Sequence, residues 1–432
     1  MSTDIILTVG PAGQYQTIGA AASVANTDTN PNHYYDIRVA PGTYTNDFPL
    51  VTRPMTIEVD PSAPGPVVLL ATVPLPNQKG IILTYSSLTV RGLTFQGAAI
   101  ANADGGNGAG IRDQNGDGSG TGPVASLIVE NCTFTGNQEG ILTGFDTSET
   151  IQIINSNFIN NGNPDPGYFQ HALYVNNAGS LAVTGSLFGG QLIGHDIKSR
   201  ALVTTITNNR IYDGAADPAD EIDAGSTSYA IDIPNGGITT ISGNLIVQGP
   251  SSENDTMVDY GAEGLQFSNN SLLVSGNTFI SSGFSQATGI YDPPGIPVQS
   301  LNNSFQGIAY PVYPASAAVS STGNAAPVVT PVSANIVASP GQGFAASSLF
   351  AASDPDGDAI TQYDLWDTGA GGGHFNVSGV AQPSNQDIYL SASQLEQTTY
   401  QSGTGTDTLW VRASDGMEWS HWSASFTVTG QT

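Results

Sequence analysis

Positive charge is what this chain has least of: nine lysines and arginines stand among 432 residues against 36 aspartates and glutamates, a formal net charge of −27. A surface of that sign repels phosphate backbones and anionic headgroups, which excludes nucleic acid as a partner. Long apolar runs are missing too, although 39% of the residues are hydrophobic, so no segment reads as a membrane span and no membrane insertion is expected. Cysteine is reduced to Cys132; a lone thiol forms no internal disulfide and fits the cytosol and disulfide-free secretion equally well. The opening Met1-Ser2-Thr3-Asp4-Ile5-Ile6-Leu7 lacks a basic start and a long apolar stretch, so no Sec-type signal is legible. Glu, Lys and Arg, the charged helix formers, are scarce, which turns attention to strands.

What is present is repetition. A short apolar run, a Gly/Asn/Ser turn and a further apolar pair recur seven times, anchored at Phe134, Phe158, Phe188, Ile211, Ile246, Phe279 and Phe305. The anchors are 24, 30, 23, 35, 33 and 26 residues apart, which fits one coil per repeat with loops of variable length. Within a segment such as Ser180-Leu181-Ala182-Val183-Thr184 the period is two, the signature of strands. With 52 glycines and abundant Thr, Val, Ile and Asn, the expected architecture is a right-handed parallel β-helix. The column Cys132, Ser156, Ser186, Asn209, Asn244, Asn277, Asn303 reads as a stacked ladder in a tight turn, with αL geometry expected at the asparagines themselves.

Three regions follow. Residues 1–80 supply a cap and first coils, with a short helix over 17–25 and a strand over 36–40; residues 81–325 form the solenoid; residues 326–432, which hold all four tryptophans, read as a small β-sandwich. The run from Thr17 to Val39-Ala40-Pro41-Gly42-Thr43-Tyr44 resembles the opening of pectin methylesterases and pectate lyases, which implies a shared fold; the paired catalytic aspartates of the methylesterase motif have no visible match. In the last region, Asp354-Pro355-Asp356-Gly357-Asp358 concentrates hard oxygen ligands on a turn, the donor set that Ca²⁺ takes, with Asp415 as a further ligand; the alternative is a metal-free Asx turn. That motif, with Val411 to Gly416, resembles cadherin-like domains of secreted bacterial adhesins. The stretch Asp113-Gln114-Asn115-Gly116-Asp117-Gly118 also looks like part of a calcium loop but lacks its terminal glutamate.

A filled tube has no interior site, so function is expected on its outer face. In Gly194-His195-Asp196-Ile197-Lys198-Ser199-Arg200, strict alternation around Ile197 points Asp196, Lys198 and Arg200 outward. Stacking neighbouring coils places Arg112, Leu142, Tyr174, Asp232, Gln266 and Tyr291 in the column of Lys198, at steps of about 4.8 Å. His171 and His195 are expected inward or at a corner, with His195 joining the site only if the turn kinks outward. The acidic insert from Asp213 to Thr227, with Asp217, Asp220, Glu221 and Asp223, is expected to wall that face, together with the insert from Ala103 to Pro123.

Two readings of this column remain open. Lys198 is one of two lysines in the chain, and with Arg200 it suits an acidic polysaccharide: a base removes the proton α to a uronate carboxylate while a cation holds the enediolate. The run from Leu181 through Ile197-Lys198-Ser199 to Ile211 is similar to the alginate lyase and chondroitinase B family. That resemblance implies β-elimination with Lys198 as base; Asp232 stands where that family has an arginine acid, so Arg200 or Arg112 would replace it or Tyr174 would act as proton donor, and Arg112, Asp196, Asp232, Gln266 and His195 are the expected substrate contacts along the column. The other reading is a non-catalytic surface, adhesion or matrix protein, in which the charges form a neutralised ladder and copies associate through the tube ends or the sandwich. Both place the protein outside a bacterial cell or on its surface.

Overall fold

The computed structural model describes residues 3–115, 125–162, 170–217, 219–220, 222–314, 318–320, 326–355, 359–360, 362–414 and 419–431. The chain divides into two compact units, Met1–Val319 and Ser320–Thr432. The first is a right-handed parallel β-helix built from three sheets of twelve, ten and ten strands. We call these sheet I, from Thr3–Val9 to Ala318–Ser320; sheet II, from Leu50–Val51 to Tyr310–Tyr313; and sheet III, from Gly42–Thr45 to Ser304–Gln306. The helix Ile18–Thr27 is capped by the Thr17 side chain, which accepts the Ala20 N–H, and buries Ile18, Ala21, Ala22 and Ala25.

Two internal columns hold the coils in register. In sheet III, Phe95, Phe134, Phe158 and Phe188 stack with ring centroids 4.8, 4.7 and 4.7 Å apart. The turn between sheets I and III carries the predicted ladder: each of Asn209, Asn244 and Asn277 receives, from the preceding coil, a backbone N–H at 2.8–2.9 Å. Each also donates its amide to a backbone carbonyl and to the next asparagine in the column. The αL conformation sits one residue earlier than expected, at Asn131, Asn155, Gly185, Asn208, Gly243, Gly276 and Asn302, with φ between 47° and 67°. The residue before the ladder makes the turn, which frees the ladder amide to point along the axis.

Sheet II departs from strict alternation. The pairing runs His195↔Tyr229 and then Ile197↔Ile231, leaving Asp196 off the ladder, and the same skip occurs beside Gly110 and before Ile290. This off-ladder position faces the phenylalanine column: a Cβ at Gly110 would meet the Phe134 ring at 2.8 Å and one at Gly140 the Phe158 ring at 2.8 Å. Where the column changes from Phe188 to Ile211, the off-ladder residue is Asp196, a larger side chain than the glycines that face the rings.

The second unit contains a five-stranded and a four-stranded sheet that share one core of Leu365, Phe375, Tyr400, Leu409, Val411, Phe426 and Val428. Among the described residues its strands pair antiparallel except for Asn335–Ala338 against Phe426–Gly430.

Asn244→Ala removes acceptors from two donors of Asn209 and a donor from the Ile206 carbonyl, all at a position 2% exposed. The expected loss is about 2–4 kcal/mol, read as a lowered midpoint in chemical denaturation, with Asn244→Ser, the residue type of the upstream coils, retaining part of it.

Candidate functional site

The outer face of sheet II carries one column in strict register: Tyr174, Lys198, Asp232, Asp259, Tyr291 and Tyr313 on six consecutive coils. The sequence reading gives Gln266 the place that Asp259 holds. The strand of that coil is Thr256–Tyr260, and Gln266 lies exposed in the loop beyond it. A signal for Asp259 exists, since Val258-Asp259 repeats Ile231-Asp232; the Leu265-Gln266 pair offers a second apolar rung that competes with it.

At the centre, Asp232 Oδ2 receives the Lys198 ammonium and lies 3.1 Å from His195 Nε2. The skip at Asp196 is what brings His195 to the outer face beside Lys198. Asp232 and Asp259 share a hydrogen bond. Burial, with the Asp232 charge next to it, pushes the Asp259 carboxyl up to about 8, so at neutral pH it carries a proton. Burial also works to raise Asp232, but His195 and Lys198 override it and hold that carboxyl below the usual range. The pair is therefore one acid and one carboxylate, 1% and 2% exposed.

The cations are engaged. Lys198 Nζ is 3.4 Å from Glu263 Oε1, and Arg200 donates to Glu263 at 2.7–2.9 Å, to Asn235 at 2.5 Å and to the Tyr174 hydroxyl at 3.0 Å. Both cations lie over the Tyr174 ring, at 5.8 and 5.9 Å from its centroid. Burial tends to lower the Arg200 pKa, but its bonds to Tyr174 and Glu263 raise it overall. Glu263, its side chain about half exposed, thus covers the cluster from the solvent side. Nothing in the sequence spacing pairs residue 263 with residue 198.

Other predicted members lie elsewhere. Asp196 is a correction: it is fully buried inside the tube rather than outward, neither of its oxygens has a hydrogen-bond partner among the described residues, and burial raises its pKa far above the usual value. Arg112 shares the outward column but stands four coils before Asp232; burial lowers its pKa while Glu139 opposes the shift. His171 stacks on His195 with centroids 4.7 Å apart and accepts the His195 backbone N–H at Nδ1; burial, with His195 and Lys198 nearby, keeps it neutral. Asp217 and Asp220 close on Arg210 of sheet III, so these acids anchor their own loop, while Glu221 lies outside the described residues. Asp113 is buried and hydrogen-bonded to Glu149, whose carboxyl burial pushes up to about 10; the two hold a proton between them. The rest of that calcium-like stretch, from Gly116 on, lies outside the described residues. Of the expected calcium ligands in the second unit, Asp356, Asp358 and Asp415 also lie outside them, and Asp354 is half-buried. Among the described residues no group of three or more His, Cys, Asp or Glu is placed to hold a metal ion, and no helix is long and apolar enough to cross a membrane.

No protein-family model matches this chain, and no curated protein does. Among solved structures it is similar to a pectin methylesterase from Aspergillus niger, with 15% identity and a TM-score of 0.35 over 74% of this chain and 95% of that one.

A carboxyl raised by folding binds its proton more tightly in the native state, so its stabilisation is complete below the unfolded pKa and is lost as pH rises through about 8 for Asp259. Thermal unfolding from pH 5 to 9 should therefore show Asp259→Asn less stable than the parent at pH 5, with the difference closing or reversing by pH 9; a constant difference would mean that Asp259 is ionised throughout.

Proposed function

We propose that the outer face of sheet II binds an acidic polysaccharide and that Asp232 and Asp259 act on it as carboxylate and acid. The observation that carries this reading is the pair itself: two adjacent carboxyls on one exposed-side column, one ionised and one protonated, flanked by tyrosines along the same column. The Tyr291 and Tyr313 rings, 6.1 Å apart, offer stacking surface next to Asp259. Glu263 supports an anionic substrate, because its carboxylate already occupies Lys198 and Arg200 and a uronate carboxylate would take the same contacts in its place.

The reaction that suits two carboxyls in hydrogen-bond contact is ester hydrolysis. Asp232 attacks the ester carbonyl while the ester C–O bond breaks and Asp259 protonates the departing alcohol; water then cleaves the acyl–Asp232 bond and returns a proton to Asp259. Glycoside hydrolysis needs the two carboxyls about 5–9.5 Å apart. Elimination with Lys198 as base is less well supported, since its contacts with Asp232 and Glu263 are those of an ammonium; Lys198 and Arg200 serve better as substrate-binding cations, with Tyr174 held between them. Action on polysaccharide places the protein outside the cell.

A second reading has its own observation. Lys198, Asp232 and Asp259 are 7%, 2% and 1% exposed, as expected of a buried ion pair and a neutral carboxyl that only satisfy one another on a scaffold. A panel of methyl-esterified pectin, polygalacturonate and alginate separates the two. Acid release from the ester, reduced at least about a hundredfold by Asp232→Asn and by Asp259→Asn, supports the pair; unsaturated-uronate absorbance lost in Lys198→Ala restores elimination; no turnover on any substrate leaves the scaffold reading.

Calcium at Asp354, Asp356, Asp358 and Asp415 stays a proposal on the sequence motif, as does the likeness to cadherin-like domains. Calcium should raise the unfolding temperature of the intact chain and a chelator should lower it, with Asp356→Asn abolishing the difference.

A further inference from the structure

The second unit has a core on one face of its five-stranded sheet and an aromatic surface on the other. Strand Gln362–Asp367 pairs antiparallel with Thr406–Ser414, setting Trp366 opposite Trp410 and Asp364 opposite Arg412. Alternation sends Leu365, Leu409, Val411 and Ala413 into the core, each no more than 1% exposed, and Trp366, Trp410 and Arg412 to the far face. Trp366 and Trp410 remain half-buried there, and Trp422 is 37% exposed. With Asp387 these three indoles line a cleft of about 360 Å³, within the size range of small-molecule sites.

The surface is braced. Arg412 donates from Nε to the fully buried Asp364 at 2.9 Å and also reaches the Tyr389 hydroxyl at 3.3 Å. Its guanidinium lies 5.0 and 4.7 Å from the ring centroids of Trp419 and Trp422. A cation pinned to a buried carboxylate thus holds two indoles in place, and a ligand stacking on Trp422 meets a surface that needs little further ordering.

We propose that this cleft binds a neutral pyranose glycan chain. Indole faces match the apolar C–H faces of a sugar ring, and the Asp387 carboxylate accepts hydrogen bonds from its hydroxyls. Charge selects against acidic sugars: the nearby cation is already committed to Asp364, Asp387 is itself negative, and the whole chain carries −27. The site is therefore distinct in chemistry from the cation-bearing column of sheet II and stands whether or not that column is catalytic.

The four tryptophans, Trp366, Trp410, Trp419 and Trp422, all lie in this unit, so tryptophan emission from the intact protein reports on it alone. Titration with cellohexaose, xylohexaose and mannohexaose should give a saturable emission change with at least one of them. Trp422→Ala should weaken that binding by about tenfold or more, Trp422→Phe should retain most of it, and Asp387→Asn should weaken it with the fold intact by circular dichroism. No saturable response of the parent protein to any of the three, or a response only to polygalacturonate or to a proline-rich peptide, would overturn the proposal.

Discussion

The coil-to-coil hydrogen bond is the interaction on which the rest of this protein depends. Parallel strands stacked at about 4.8 Å fix every side chain of one coil directly over its counterpart in the next. The asparagine ladder from Asn209 to Asn303 enforces that registry where the backbone turns, because Asn209, Asn244 and Asn277 are each bonded on both sides along the axis. A slip of one residue would remove those bonds and turn the outward column into the core. Placing Lys198, Asp232 and Asp259 in line is thus a by-product of the scaffold.

Registry alone would put a uniform face on sheet II, and the departure from it is what gathers the cluster. The off-ladder residue before the core rung lets His195 reach the same side as Lys198, while Asp196 turns into the tube where isoleucines interrupt the phenylalanine column. The chain pairs its few cations closely: Lys198 and Arg200 meet Asp232 and Glu263, Arg210 meets Asp217 and Asp220, Arg412 meets Asp364. Around Lys198 and Arg200 the cations draw Asp232 and Glu263 together, and Asp259 becomes the odd member that keeps its proton.

The two units present different surfaces for the same physical reason. A parallel solenoid fills its interior and leaves charges and tyrosines on the outside of a flat sheet. A small sandwich needs only one face of each sheet for its core, so the opposite face is free to carry Trp366, Trp410 and Trp422.

Period, turn chemistry and composition were enough to read the solenoid, the ladder column and the all-β second unit, because these are local patterns repeated along the chain. The helix was legible as well, within two residues of its observed end at Thr27. The outward column was legible wherever alternation held, from Arg112 to Asp232, and failed at Asp196, His195 and Gln266, where a strand skips a residue or a loop offers a competing apolar pair. Which carboxyl keeps a proton, that Glu263 closes over Lys198 and Arg200, and that Arg412 lies against Trp419 and Trp422 were decided only by tertiary structure. Those outcomes depend on distance and burial between residues far apart in sequence, and no periodicity encodes either.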